Sequence, residues 1–261
     1  MDLKLQDKVI LVTGGMSGIG GGISRCLASE GAIPVILDKK PLTQDMSDSM
    51  SHGEFVFRNH EIDLNDTSRI RDIVESTVQE FGAIHGVVNN AGVNDNKSLE
   101  DTDWVDFEKS IHGNLTHVYE LVRQTKEYLE SSQGSILNIG SKTALTGQGK
   151  TSAYAAAKGA MLALTREWAA ALAPSGVRVN TIVVAEAWTP LYEKWIQSFG
   201  DEKAQKEHLE EITSRIPLGH RMTTIDEIAD TAAFLLSPRS SHTTGQWVHV
   251  DGGYVHLDRI L

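Results

Sequence analysis

"KVILVTGGMSGIGGGISRCLASEGAIPVILD", residues 8–38, carries a strand, a glycine-rich turn, a helix and a second strand without a break. Residues 8–14 (KVILVTG) are apolar and bounded by glycine, the pattern of a strand buried on both faces. "GIGGGISRCLASEG" (18–31) reads as a helix closed by Gly31, and "IPVILD" (33–38) as the next strand. Strand, helix and strand in that order imply a right-handed crossover and a parallel sheet covered by helices.

The alternation continues to the end of the chain. A third strand lies within 54–63, and 66–82 is helical, with Asp66 or Thr67 available as a cap. Residues 84–92 (IHGVVNNAG) form strand four, and a polar loop leads to a long helix over about 104–131. Residues 134–141 form strand five, a helix carrying Tyr154 follows, and 177–184 form strand six. A Trp-rich, charged segment comes next, then a helix near 225–237 and a last strand over 246–253. The expected fold is α/β, one doubly wound domain over 1–261 with a mostly parallel, Rossmann-type sheet.

Composition narrows the partners. The chain has 261 residues, 40% hydrophobic and 23% charged, which suits one large α/β domain. A net charge of −11 and the lack of any long basic run argue against nucleic acid and anionic membrane surfaces. No apolar run approaches the ~18 residues of a membrane span, and the start "MDLKLQDK" is too polar for a signal peptide. Cys26 is the single cysteine, which precludes an internal disulfide and fits the cytoplasm; it reads as a small core residue. The ten histidines are scattered, so no metal is expected.

In a doubly wound sheet, ligands bind beyond the carboxyl ends of the strands, and the unusual residues collect there. "TGGMSGIG" (13–20) places Gly14, Ser17, Gly18, Ile19 and Gly20 between strand and helix, where backbone amides can approach a pyrophosphate. Asp38 ends strand two, about 20 residues on, placed to accept hydrogen bonds from ribose hydroxyls and to repel a 2′-phosphate. It favours NAD over NADP, although Lys39 and Lys40 follow at once and are able to hold a phosphate. Asp63, with Leu64 beside it, is placed for an adenine edge; a cap or turn aspartate is the plainer reading. Asn90, Ala91 and Gly92 are small residues that let the chain pass close to a cofactor. In "SAYAAAKGA" (152–160) a helix puts Tyr154 and Lys158 one turn apart, with Cβ atoms roughly 5–6 Å apart. Tyr119 and Arg123 share that spacing, so the pair alone says little.

Taken together, "TGGMSGIG", "NNAG", Asn114, Ser141 and "YAAAK" resemble the short-chain dehydrogenase/reductase family along essentially the whole chain. The resemblance implies that Tyr154 is the general acid/base and that Ser141 binds the substrate oxygen. Lys158 would hold the nicotinamide ribose, Asn114 a water linking Lys158 to solvent, and Ala187 and Thr189 the nicotinamide end. Lowering a phenol from its usual pKa of about 10 by two or three units takes about 3–4 kcal/mol. Lys158 and the nicotinamide cation are the expected sources. The family also implies a homo-oligomer, dimer or tetramer; separately, the apolar Ile260 and Leu261 that end the tail are expected to pack on a neighbouring subunit.

One departure stands out. The family usually has Pro-Gly after strand six; here Val184 and Ala185 take those places and Glu186 follows. A substrate segment over about 185–215, with the loops at 93–100 and 142–150, offers Asn94, Lys142, Gln148, Glu186, Trp188 and Tyr192. Hydrogen-bonding groups mixed with aromatic faces suit a polyhydroxylated ring. "SKTALTGQGKTSAY", "AEAWTPLYEKW" and "DGGYVHLDRIL" are similar to sugar dehydrogenases of the L-fucose dehydrogenase kind, which oxidise the anomeric hydroxyl of a pyranose to a lactone. Two alternatives remain: a 3-oxoacyl thioester reductase of the same family, and a catalytically silent NAD-binding sensor.

Overall fold

In the computed structural model, which describes residues 1–257, alternate residues of the first strand bury into two different cores. In β1 (Val9–Thr13), Val9 and Leu11 join one apolar cluster, while Ile10 and Val12 join the other. That is why residues 8–14 show no polar alternation: both faces are covered. β1 pairs in parallel with β2 (Ile33–Asp38) on one side and β4 (Gly86–Asn89) on the other. The remaining strands are β3 (Arg58–Glu61), β5 (Ser135–Ser141), β6 (Arg178–Val184) and β7 (Trp247–Val250). The sheet runs β3-β2-β1-β4-β5-β6-β7, all parallel, so the order reverses between β1 and β4. A crevice for ligand opens at that reversal.

α1 (Gly18–Ser29) and α10 (Ile225–Leu236) cover one face of the sheet through Ile23, Leu27, Ile228 and Ala232. α3 (Ile70–Phe81), α5 (His117–Ser132) and α7 (Ser152–Leu172) cover the other through Ile70, Ile73, Leu121, Leu129 and Leu172. α10 starts in a reciprocal cap between Thr224 and Glu227, and Arg221 also grips Glu227. The hydrogen bonds from Arg221 hold the Glu227 carboxyl down at about 2. No helix among the described residues is long and apolar enough to cross a membrane.

The structure departs from the sequence expectations in a few places. The helix expected over 104–131 is two helices, α4 (Trp104–Ile111) and α5, joined by a wider π turn at His112–Thr116 that contains Asn114. The segment 185–215 is largely helical, with α8 (Pro190–Gln197) and α9 (Glu202–Thr213). A short helix, α2 (Gln44–His52), lies between β2 and β3; its sequence is polar except for Met46 and Met50, which bury against Met16 and Phe55. A four-residue turn of helix, α6 (Thr143–Thr146), follows β5. The tail residues Ile260 and Leu261 lie outside the described residues.

Gly20 sits where α1 crosses the crevice end of β1, and a Cβ there would lie 2.2 Å from the Gly14 carbonyl oxygen and 2.4 Å from Asn90 Nδ2. Backbone cannot yield cheaply at such a contact. Gly20→Ala is expected to lower unfolding stability by about 1–3 kcal/mol, measured by urea denaturation.

Candidate active site

The crevice beyond the strand ends encloses about 650 Å³, within the range of small-molecule sites. Gly14, Ser17, Gly18 and Ile19 line one end with Asp38, Asp63 and Leu64; Asn90, Ala91 and Gly92 line the middle; Ser141, Tyr154, Lys158, Ala187 and Thr189 line the far end. The sequence-derived cofactor residues thus fall along one groove, with Gly20 buried beneath its turn. Gly14 and Gly18 have φ of +64° and +58°, a backbone region that disfavours other residues. Nothing lies within 4 Å of a Cβ built on Gly18, and the first turn of α1 carries no acidic side chain. The amides at that helix start are therefore open to an anion, as a pyrophosphate requires.

Asp38 is 7% exposed and holds the loop around itself. Its two oxygens accept from the backbone amides of Met16 (3.0 Å) and Lys40 (2.9 Å). Those contacts leave lone pairs for ribose hydroxyls. Lys40 Nζ donates to Ser17 Oγ at 3.0 Å, so one lysine also stands at the rim. Asp63 accepts from the backbone and side-chain amides of Asn65, the bonding of a turn aspartate, and still lines the groove.

Tyr154 and Lys158 project from the first two turns of α7, where the intervening alanines keep the helix close to β5. The Lys158 ammonium, 3% exposed, donates to the Ile139 carbonyl at 2.7 Å and lies 5.7 Å from the centre of the Tyr154 ring. Burial lowers Lys158 to about 8. Burial likewise pushes the Tyr154 phenol up to about 12, while a hydrogen bond with Ser141 pulls the other way. Ser141 Oγ also accepts from Thr143 Oγ1 at 3.0 Å, which fixes its position. A phenol hydrogen-bonded to a serine hydroxyl and close to a buried ammonium, at the end of that groove, is equipped to move a proton to or from a substrate oxygen.

Asn114 is 3% exposed in the π turn. Its Oδ1 accepts from Val93 N at 2.8 Å, and Nδ2 donates to Val93 O at 3.1 Å and Ser110 O at 2.9 Å. Both amide protons are committed to tying the loop after β4 to the π turn. His117, one turn on and 1% exposed, makes no hydrogen bond of good geometry with either ring nitrogen. Burial, helped by the nearby Lys158 charge, pushes it down to about 4.

Of the six candidate substrate residues, Tyr192 lines the groove. Lys142 and Glu186 form an ion pair just behind its wall. Trp188 packs beside Tyr192 with ring centres 6.5 Å apart. Asn94 turns its carboxamide oxygen to the Asn96 amide, and Gln148 is exposed; neither lines the groove. Thr189 lines it but uses its hydroxyl to cap α8 through the Tyr192 amide. Cys26 is pushed up to about 12 by burial and by Asp230, consistent with an unreactive packing thiol. Arg123 pairs with Glu120 and not with Tyr119.

Two supports escaped the sequence reading. Thr13 Oγ1 accepts from the amides of Asn90 (2.9 Å) and Ala91 (3.0 Å), locking β1 to the loop after β4. Beneath the site a buried chain runs from Asn89 through Asn138 and Thr165 to Thr181. A polar residue inside an otherwise apolar strand was the available signal for both. Among the described residues no group of three or more His, Cys, Asp or Glu is arranged to hold a metal ion.

Comparisons with known proteins agree with this geometry. Residues 14–255 match the family model described as enoyl-(acyl carrier protein) reductase. The 3-oxoacyl-(acyl-carrier-protein) reductase FabG of Thermotoga maritima is 33% identical over 97% of this chain and 100% of its own. The L-fucose dehydrogenase of Bos taurus is 34% identical over 97% of this chain and 91% of its own. Among solved structures, the dehydrogenase Cj0485 superposes with a TM-score of 0.96 at 50% identity, covering 100% of this chain and 99% of that one.

The buried His117 links the site to stability. Its native pKa lies below the unfolded value of 6.5, so its contribution is full above 6.5 and is lost as pH falls toward about 4. Between pH 6.5 and 5 that amounts to about 1.5 kcal/mol. Urea denaturation should show a shallower pH dependence in His117→Phe over this range; an unchanged slope would place the acid sensitivity elsewhere.

Proposed function

The chain belongs to the short-chain dehydrogenase/reductase family, and on that footing we propose that it is an NAD-dependent dehydrogenase whose substrate is an aldose such as L-fucose, oxidised at the anomeric hydroxyl to the lactone. The family membership makes it an oxidoreductase acting on CH–OH groups. The observation that carries the catalytic assignment is the hydrogen bond between Tyr154 and Ser141 at the groove end, with Lys158 buried alongside.

In this reading Ser141 donates to the substrate oxygen while Tyr154 takes its hydroxyl proton. Lys158, held by Ile139, orients the ribose and favours the phenolate. Gly14, Gly18 and the start of α1 would hold the pyrophosphate, Asp38 the adenosine ribose, and Asn90 to Gly92 the nicotinamide half, all of them along one groove. The cofactor supplies the hydride acceptor and, when oxidised, a positive charge near the phenol.

Support for an aldose comes from the likeness to L-fucose dehydrogenase and from the charged and aromatic groups around Tyr192. The likeness to FabG keeps a thioester reductase as the second reading. A net charge of −11 suits an acidic carrier protein poorly, and Asp38 disfavours NADPH. A silent sensor is the weaker third reading, since Ser141, Tyr154 and Lys158 are all in place. Trp104, Phe107 and Tyr119, exposed on α4 and α5, support a homo-oligomer, and the single cysteine a cytoplasmic setting.

Initial rates of NADH formation from a panel of aldoses, with NAD⁺ and with NADP⁺, test the proposal. Turnover of one stereochemical group with NAD⁺ is expected; turnover of oxoacyl thioesters alone would favour the second reading. Tyr154→Phe should lower kcat by about 10²–10⁴-fold while NADH still binds. Because Tyr154 must accept a proton in oxidation, that direction should accelerate from neutral to alkaline pH and reduction should slow. Asp38→Ser should shift the ratio of kcat/KM for NADP⁺ over NAD⁺ upward by about tenfold, ~1.4 kcal/mol.

A further inference from the structure

Glu186 occupies the position after the Val184–Ala185 departure and is held from two sides. One oxygen pairs with Nζ of Lys142, the residue following Ser141, and the other accepts the phenolic proton of Tyr192 at 3.0 Å. Lys142 and Glu186 keep only 10% and 14% side-chain exposure. The Lys142 ammonium also lies 4.2 Å from the centre of the Tyr254 ring. Tyr192 alone of the three reaches the groove wall, which it shares with Ser141 and Tyr154.

A phenol has one proton to donate and lone pairs with which to accept. A charge-assisted bond to a carboxylate is roughly twice as strong as a neutral one, so Tyr192 keeps its proton on Glu186. Burial, the Glu186 charge and that hydrogen bond hold the phenol well above its ordinary range, so it does not become a phenolate. What its hydroxyl can still offer a ligand is acceptor capacity only. Stability alone gives little reason for such an ion pair, because buried pairs are often replaceable by apolar residues without cost.

We propose that Tyr192 is a specificity-determining residue that accepts a hydrogen bond from one non-reacting hydroxyl of the substrate, with Glu186 and Lys142 as positioning residues that fix its polarity. The assignment rests on the aldose reading above and adds the rule by which the site chooses among aldoses. A substrate must present a hydroxyl donor at that point; an ether oxygen, a fluorine or a hydrogen cannot serve.

The test uses the best aldose found with NAD⁺, together with its monodeoxy and deoxyfluoro analogues at each ring position. At one carbon, both analogues should lose about 10–100-fold in kcat/KM with the unaltered enzyme, as hydrogen bonds to fixed polar groups do. Tyr192→Phe should lower the parent sugar by a similar factor, add nothing to the loss of those two analogues, and leave the KM for NAD⁺ unchanged. In the double variant Lys142→Met/Glu186→Ala the phenolic proton is released, and the deoxyfluoro analogue should outrun the deoxy one. Equal losses for parent and all analogues in Tyr192→Phe, or no loss, would overturn the assignment and leave the aldose reading standing. No turnover of any aldose, with NADH still bound, would overturn that reading and the assignment with it.

Discussion

The site is organised around an ammonium buried against a strand carbonyl. Lys158 is 3% exposed and directs its charge at Ile139, a residue of β5 whose neighbours lead directly to Ser141. Burying such a group is costly unless its hydrogen bonds are met, and the surrounding structure is arranged to keep it there. The alanines of α7 bring that helix onto the sheet, and Asn138 reaches Thr165 of α7 at 2.8 Å beneath the pair. On the other side a Cβ at Gly92 would come within 3.7 Å of Nζ and 2.7 Å of Asn114 Oδ1. A displaced β5 or α7 would move the lysine, the serine and the tyrosine together.

The groove has two halves, one at the ends of β1 and β2 and the other at the ends of β5 and β6. Near β1 and β2 the groove is shaped mainly by backbone, with Gly14 and Gly18 in left-handed conformations and the open start of α1, and by the Asp38 carboxylate tied down by two amides. Near β5 and β6 side chains line it, among them Ser141, Tyr154, Lys158 and Tyr192. Glu186 and Lys142 bridge the ends of adjacent strands, and Tyr192 carries their influence to α8. α8 then continues into an edge-on aromatic stack, with Tyr192 and Trp195 ring centres 5.1 Å apart and Trp195 and Phe199 4.9 Å apart. Strand ends thus form one side of the groove and α8, through Pro190, Leu191, Tyr192 and Lys194, the other.

Much of this was legible in the sequence because burial on two faces writes unbroken apolar runs, and residues 8–14, 33–38 and 177–184 all became strands of the parallel sheet. The groove-lining residues were legible because glycines and small residues stand at strand ends. What was hidden depended on contacts distant in sequence. The polar stretch 44–52 holds its helix with two methionines against Met16 and Phe55, which no local pattern announces. The π turn at Asn114 follows from bonds to Val93, 21 residues earlier. Asparagine's poor fit in a helix marked the place, while the bonding showed that its amide ties down backbone. The grip of Glu186 joins residues 142, 186 and 192, whose separate polarity gave no hint of their pairing.

Burial holds the Tyr154 phenol above its ordinary range, and the proposed oxidation requires that a bound, oxidised cofactor lower it. Ultraviolet titration of phenolate, taken as the difference between the unaltered protein and Tyr154→Phe, tests it directly. In the absence of cofactor the difference signal should stay absent until about pH 12 is approached. With saturating NAD⁺ it should appear two or more units lower. A phenolate already formed near neutral pH without NAD⁺, or an ionisation that NAD⁺ does not move, would contradict the account.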